Sequence, residues 1–365
     1  MMTPPRQQGA RIRSIQARGV DLSLGQAVET ASGTMNTQPI VLIDLTTDEG
    51  VVGRSYLRCY TPLALGALTR LVGTLQQVLE DTPAAPFDVQ QRLQRAFRLV
   101  GDQGLVGLAI AGIDMALWDA LAKGCGVPLI VLLGGVRKPI PAYACLRNMS
   151  PGAAADEAMG HLEQGFTAIK FKVGRGDVAA DLEMIRTLRR SVGDRVKLMV
   201  DYNQSLSVAQ AIDRLRVLEG EGLYWVEEPT RADDYEGHAR IAAAFKTSIQ
   251  LGENWSGPHE MAKSIRVRAS DYATLDVMKM GGVSGWLAGA AQAQAAGLPV
   301  SSHSFAEFSA HLRAATPTAH YLEYLDHVGP ILKRPIPVED GRALIPDCPG
   351  VGLEWDEEAV SRLCV

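Results

Sequence analysis

The chain has few cysteines, few aromatics and almost no excess of charge. Its 365 residues include five cysteines, Cys59, Cys125, Cys145, Cys348 and Cys364. The count is odd and no pair has CxxC spacing, which argues against a disulfide framework or a zinc cluster and for a reducing compartment. Lys and Arg number 36 against 41 Asp and Glu, a net charge of −5, so no basic excess invites nucleic acid. The basic clusters at 186–190 and 263–268 read as solvated helix faces. The first residues, Met-Met-Thr-Pro-Pro-Arg-Gln-Gln, lack the apolar core of a signal peptide. The longest mostly apolar stretch, 104–124, carries Asp114, Asp119 and Lys123, so it reads as a buried helix and not as a membrane span. A cytoplasmic enzyme is the expectation.

What is present is a hydrophobic fraction of 47%, enough for one large barrel with an added domain. Residues 11–60 alternate apolar strand-like runs with turns, and 61–124 turn helical, together an α+β domain. A Gly- and Pro-rich segment at 126–141 marks a boundary. Beyond it, short strand-like runs recur at 143–147, 168–172, 197–201, 223–227, 249–253, 274–278, 299–303 and 321–325, most of them separated by helical stretches. Eight such βα repeats in under 200 residues predict a closed parallel barrel. The expected domains are 1–130, a barrel over 131–330, and a tail over 331–365 that returns to the first domain.

Polar residues stand at or near the C-terminal ends of these runs: Lys170 and Lys172, Asp201, Glu227, Glu253, Asp276, His303 and Glu323. Strand ends of a barrel converge on one mouth, and charges there are costly to bury unless paired. Asp201, Glu227 and Glu253 form an oxygen-only donor set suited to a hard divalent cation, with Mg²⁺ the default. Without a cation, three converging carboxylates repel one another and their pKa values rise. Glu228, next to Glu227, is expected to face the other way by strand alternation. A calcium loop at 201–207 is a poor alternative, because its sixth position is Leu206 and not glycine.

Lys170 and Lys172 share one strand face and should lower each other's pKa, which would suit one of them as a base. His303 lies one strand beyond Asp276, whose carboxylate could fix the imidazole tautomer and raise its basicity. Glu323 could donate a hydrogen bond to a substrate carboxylate if it stays protonated. Gly174-Arg175-Gly176 formally opens a dinucleotide fingerprint, but it sits inside the barrel repeat and reads as a strand-to-helix turn.

As an ordered set, Lys170-Phe171-Lys172, Val200-Asp201-Tyr202-Asn203, Trp225-Val226-Glu227-Glu228-Pro229, Gly252-Glu253-Asn254, Asp276-Val277-Met278-Lys279, Ser302-His303 and the stretch ending in Glu323 resemble the mandelate racemase subgroup of the enolase superfamily. The helix through Gly112, Asp114, Trp118 and Asp119 resembles that family's N-terminal signature. The resemblance implies a modified (β/α)₇β TIM barrel with an α+β capping domain completed by the C-terminal tail. It implies Mg²⁺ on Asp201, Glu227 and Glu253, with Lys172 and His303 as opposed bases. Asp276 would support His303, Lys170 would neutralise the substrate carboxylate, and Glu323 would donate as the enediolate forms. The loop at 28–35 would close over the site.

Ser32 and Arg58 stand where mandelate racemase is apolar, beside Tyr60, and Arg147 is expected at the mouth. With Cys145, Asn203 and Lys279 these complete the candidate substrate contacts. A buried unpaired guanidinium is costly, so Arg58 points to a polar acid sugar or diacid. The expected function is racemisation or epimerisation of a 2-hydroxy acid, with an acid-sugar dehydratase as the alternative. The expected partner is a small carboxylate, with no nucleic acid or membrane, in a homo-oligomer that could be as large as an octamer.

Overall fold

The computed structural model describes residues 9–31 and 33–365. Three antiparallel strands open the chain, β1 (Ile12–Thr30), β2 (Gly33–Thr47) and β3 (Val52–Arg58), in the order β1-β2-β3. The central run Ile40–Leu45 is buried residue by residue except Asp44, the pattern of a strand covered on both faces. The helices α1 (Pro62–Thr74), α2 (Gln76–Leu79), α3 (Pro86–Ala96), α4 (Gly104–Gly124) and α5 (Leu129–Leu132) follow. α1 and α4 pack against β2, and Trp355 of the C-terminal tail donates its indole N–H to Asp44.

α4 packs against β3 and β2. Its approach requires glycine at the contact: a Cβ on Gly53 would lie 2.0 Å from the Ala116 carbonyl oxygen. By length and composition α4 could cross a membrane, but 72% of its most apolar window is buried inside the protein. Its two aspartates fasten other elements. Asp119 accepts the backbone N–H groups of Arg54 and Val351, at 2.8 Å each. Asp114 accepts from the Ser284 N–H and hydroxyl, and so caps a barrel helix across the domain boundary.

The barrel consists of β4 (Ile140–Cys145), α6 (Pro151–Glu163), β5 (Ala168–Lys172), α7 (Val178–Val192), β6 (Lys197–Asp201), α8 (Val208–Leu218), β7 (Trp225–Glu227), α9 (Tyr235–Ala244), β8 (Ser248–Leu251), α10 (Pro258–Val267), β9 (Tyr272–Asp276), α11 (Gly282–Ala296), β10 (Val300–His303), α12 (Ala306–Ala315) and β11 (Ala319–Tyr324). Every neighbouring pair from β4 to β11 is parallel, and β11 pairs with β4, which closes the eight-stranded ring. Seven of the strands are followed by a helix, the expected (β/α)₇β pattern.

Three strands end two residues earlier than the sequence suggests. β4 stops at Cys145, β8 at Leu251 and β9 at Asp276. Gly252 has φ +135, and a Cβ there would meet the Thr274 carbonyl at 2.8 Å, so the backbone leaves the ladder at that point. Asp276 ends β9 by accepting the Lys279 N–H in its own turn.

The tail runs along both units. A short hairpin, β12 (Val338–Glu339) and β13 (Arg342–Ala343), adds to the start of β4 at the barrel floor. Then α13 (Glu357–Leu363) reaches β1, where Cys364 bridges Val20. The floor beneath the site is aromatic, with Tyr143 and Trp225 in a buried cluster beside Tyr224, Tyr272 and Tyr321. All five cysteines are free thiols.

Candidate active site

Parallel register decides which side chains meet. Lys172 is level with Asp201, Asp201 with Glu227, and His303 with Asp276. Of these, Lys172, Asp201 and His303 line a cavity of about 300 Å³ between the barrel mouth and the capping domain, with Lys170, Glu253 and Glu323. A neighbouring cleft of about 390 Å³ between α4 and α11 shares Tyr60 and Lys279 but contains none of the strand-end carboxylates.

One oxygen each from Asp201, Glu227 and Glu253 lies within 4.8 Å of the others. The Asn203 N–H and amide hold Asp201 at 2.8 and 2.9 Å, and the Gln250 amide and Trp225 indole hold Glu227 at 2.9 and 3.2 Å. Burial raises the Asp201 pKa, and it pushes Glu227 up to about 8 against the pull of Lys170. Burial also works to raise Glu253, but His303 and Lys170 outweigh it and hold its pKa low. The expected rise therefore holds for Asp201 and Glu227 and not for Glu253, whose neighbour His303 offsets the repulsion. Three convergent carboxylate oxygens, two of them costly to ionise, fit a hard divalent cation.

Glu228 departs from the expected outward orientation. β7 ends at Glu227, and Glu228 takes a left-handed φ of +37, so strand alternation no longer applies. It is fully buried, and its carboxylate accepts both bonds of the Asn254 amide at 3.0 and 2.8 Å. Burial, followed by Glu253, Asp201 and Glu227, raises its pKa well above the usual carboxylate range. The signal in the sequence was the second glutamate immediately before Pro229, at the point where the strand stops.

The two lysines are both buried on β5, yet their surroundings differ. Lys170 Nζ lies 2.8 Å from Glu323, 2.9 Å from Glu227 and 3.9 Å from Asp201. Burial would lower its pKa, but Glu227 and Glu323 raise it well above normal. The expected mutual depression of the two lysines does not hold for Lys170, because three carboxylates lie closer to it than any like charge acts. Lys172 has no carboxylate within ion-pair distance among the described residues; its partner is the Cys145 thiol at 3.8 Å. Burial, opposed by Lys172, pushes the Cys145 thiol up to about 11, so it stays protonated.

His303 Nδ1 is 2.7 Å from Asp276 Oδ2, and Nε2 faces Glu253 at 3.5 Å. Burial alone would lower the imidazole pKa; Glu253, Glu323 and Asp276 together raise it to about 9. Glu323 accepts from the Ser304 N–H at 2.9 Å and from the Tyr143 hydroxyl at 3.3 Å. Burial would raise its pKa, but Lys170 and His303 drive it well below the usual range. In this setting Glu323 is an ionised acceptor, where a protonated donor was expected.

The predicted substrate contacts divide. Arg58, Tyr60, Cys145, Asn203 and Lys279 all line the cavity. Asn203 is committed to Asp201, and Lys279 Nζ donates to Asn254 at 2.8 Å. Arg147 is not a lining residue. With β4 ending at Cys145, its guanidinium reaches outward to the Asp326 carbonyl at 3.5 Å. Ser32 lies outside the described residues. Gln38, Asn254, Ser304 and His327 also line the cavity and escaped the sequence reading, because each sits in a loop or on the cap with no periodic pattern to mark it.

Comparison with known proteins agrees with this fold. Residues 15–134 match the family model described as Mandelate racemase / muconate lactonizing enzyme, N-terminal domain, and 153–359 match Enolase C-terminal domain-like. The chain is 32% identical to an L-talarate/galactarate dehydratase of Salmonella typhimurium, over 88% of this chain and 81% of that one. It is 30% identical to a 3,6-anhydro-alpha-L-galactonate cycloisomerase of Streptomyces coelicolor, over 92% and 94%. Among solved structures, an enolase from Bradyrhizobium complexed with magnesium and mandelic acid is 43% identical over all of both chains, with a TM-score of 0.94. An L-talarate dehydratase from Polaromonas sp. JS666, complexed with Mg and L-glucarate, is 30% identical over 98% of each chain, with a TM-score of 0.90.

Proposed function

The chain belongs to the mandelate racemase/muconate lactonizing enzyme family, and from that premise we propose that it abstracts the α-proton of a polar 2-hydroxy carboxylate and returns a proton to the opposite face, as a racemase or epimerase. Asp201, Glu227 and Glu253 hold Mg²⁺ in this reading, supported by the buried donor set and by the magnesium in related structures. When bound, Mg²⁺ supplies positive charge to the substrate carboxylate, where a second negative charge develops as the proton leaves.

The observation that carries the reading is the pairing of two bases across the mouth. Lys172 ends β5 and His303 ends β10, with the carboxylate cluster between them. Lys172, free of carboxylate partners among the described residues, takes or gives the proton on one face. His303 does so on the other, Asp276 holding Nδ1 while Nε2, beside Ser304 and Glu253, is the nitrogen that exchanges the proton. Lys170 stays an ammonium and offsets charge on the substrate oxygens. Glu323, ionised here, orients Lys170 and the Ser304 N–H.

A second reading is supported by the polar wall that Arg58 and Ser304 make beside His303 and by the dehydratases among the relatives. In it the same α-proton abstraction is followed by loss of the 3-hydroxyl, with His303 as the acid, giving a 2-keto-3-deoxy acid. Incubating the Mg²⁺-loaded protein with hydroxy acids and acid sugars in D₂O separates the two. Deuterium at C2 of recovered hydroxy acid marks epimerisation, and a keto acid marks dehydration. Absence of exchange into every member of a broad panel would sink both.

A further inference from the structure

Two consecutive residues after His303 have left-handed backbone, Ser304 at φ +52 and Phe305 at φ +50, although neither is glycine. That conformation is costly for a residue with a Cβ and persists only where neighbours hold it. Phe305 is also the N-cap of α12, and its side chain accepts none of the helix's free N–H groups. The kink follows directly on the end of β10, so it sets the direction in which the chain carrying His303 leaves the ladder. Barrel groups hold part of it. The Ser304 N–H donates to Glu323 at 2.9 Å, and the Ser304 carbonyl accepts from the Ser309 hydroxyl at 2.8 Å.

The cap supplies the rest from one face of β3, where Tyr56 and Arg58, two positions apart, point the same way. The Tyr56 ring stacks on Phe305 with centres 4.8 Å apart and planes at 23°, and its hydroxyl donates to Glu307 Oε2 at 2.8 Å. Arg58 Nη1 donates to Ser304 Oγ at 2.7 Å. The opposite face of β3 is fixed to α4. There the Ser55 hydroxyl donates to the Gly112 carbonyl at 2.7 Å, and Leu57 closes on Gly112 so tightly that a Cβ would lie 3.0 Å from it. β3 is thus a splint between α4 and the kink. Tyr56, Phe305 and Glu307 are all buried. Burial pushes the Glu307 pKa up to about 7, against the bonds from its own N–H and from Tyr56, with Asp326 adding to the rise. A carboxyl group is costly to keep in such a place, and Tyr56 is the side chain that satisfies it.

We infer that Tyr56 and Glu307 are positioning residues for the His303 base: through the kink at Ser304 and Phe305 they aim the imidazole, so the cap controls proton transfer on one face of the substrate carbon. The inference rests on the proton-abstraction reading above and extends it to groups that do not touch the substrate. The end of β5, where Lys172 sits, is reached from the cap by a different element, the β1–β2 hairpin that Arg175 holds. Loss of the Tyr56–Glu307 bond should therefore disturb the two bases unequally. The strained kink relaxes once its splint is loosened, and a base displaced by about 1 Å loses up to about 100-fold in rate.

The test follows deuterium uptake at C2 in D₂O on the Mg²⁺-loaded full chain, with both enantiomers of mandelate and the epimeric pair galactarate and L-talarate as probes. Lys172→Met and His303→Asn assign a face to each epimer. Tyr56→Phe keeps the ring stack and loses only the hydroxyl. It and Glu307→Ala should each slow exchange at the His303 face by about 10- to 100-fold, while the Lys172 face stays within about 3-fold of wild type. Glu307→Gln, whose amide oxygen still accepts the Tyr56 hydroxyl, should recover most of the loss. The imidazole NMR signals of His303, identified by their absence in His303→Asn, supply a readout that needs no substrate. They should move in Tyr56→Phe and Glu307→Ala and return in Glu307→Gln. If the His303 face and its signals stay as in wild type, if both faces slow together, or if Glu307→Gln is as slow as Glu307→Ala, the positioning role is wrong. Signals that move as expected while no probe exchanges would keep that role and remove the proton-abstraction reading; exchange in wild type with both faces slowed alike in the variants would do the reverse.

Discussion

At the scale of single residues, the site works through differences between chemically similar groups. Two lysines two positions apart have opposite surroundings: Lys170 sits among three carboxylates and Lys172 beside a protonated thiol. Lys172→Met should therefore stop proton transfer on one face of the α-carbon, with turnover falling by about 10³-fold or more. Exchange at the His303 face should persist, which deuterium labelling of each enantiomer would show. Asp276→Asn should do the converse. The amide keeps the geometry but no longer stabilises the imidazolium, so transfer at the His303 face should fall by about 10²- to 10⁴-fold with Lys172-face exchange retained. Loss on both faces alike would contradict the assignment of one base to each. The Lys-x-Lys and carboxylate positions were legible because strand ends recur at barrel spacing. Glu228, Ser304 and His327 were not, since left-handed or irregular backbone aims them and nothing periodic in the chain records it.

At the scale of elements, helix α4 joins the two units through buried groups. Asp114, pushed up to about 7 by burial despite its bonds to Ser284, sits at the start of α11. Its folded pKa is above the ordinary value of 3.8, so the stabilisation is fully present below that unfolded value. It is lost as pH rises from about 4 to about 7, and no further change follows above. Denaturant melts of wild type and Asp114→Asn across this window should differ by up to about 4 kcal/mol in their pH dependence, with the flatter profile in the variant. A steric prediction belongs here too. Gly53→Ala forces a methyl into the Ala116 carbonyl, and stability should drop by about 2–4 kcal/mol in the same melts. An unchanged midpoint would mean that β3 and α4 can separate freely. The helices and most strands were readable from apolar periodicity, but the ends of β4, β8 and β9 were set by turn geometry. Arg147 was misplaced for that reason: two residues past Cys145, it no longer follows the strand.

At the scale of the whole molecule, the cavity exists only because the cap is held over the barrel. Arg175, inside the turn that formally resembled a nucleotide fingerprint, fastens the hairpin between β1 and β2. It donates to the Thr30 and Gly33 carbonyls at 2.8 and 3.1 Å, to Thr34 at 3.1 Å and to Glu29 at 3.2 Å. Glu29 in turn accepts the Met149 N–H at 2.8 Å. Arg175→Ala should loosen this closure, raising KM by roughly 3- to 10-fold and exposing the hairpin to limited proteolysis, with the thermal midpoint little changed. Proteolysis as slow as in wild type would show that other contacts hold the hairpin.

Taken by itself, the chain determined the barrel, the order of its strands and the identity of the groups at their ends. Those follow from local alternation and from spacing, which any sequence carries in one dimension. Tertiary structure decided which charges meet. Lys170 is raised and not lowered, Glu323 is ionised and not protonated, Glu228 is buried against Asn254, and Arg58 is left without a carboxylate among the described residues. The reason is that electrostatic energy inside a low-dielectric cavity depends on distances of a few ångströms between distant parts of the chain. The small net charge of −5 is compatible with any of those arrangements.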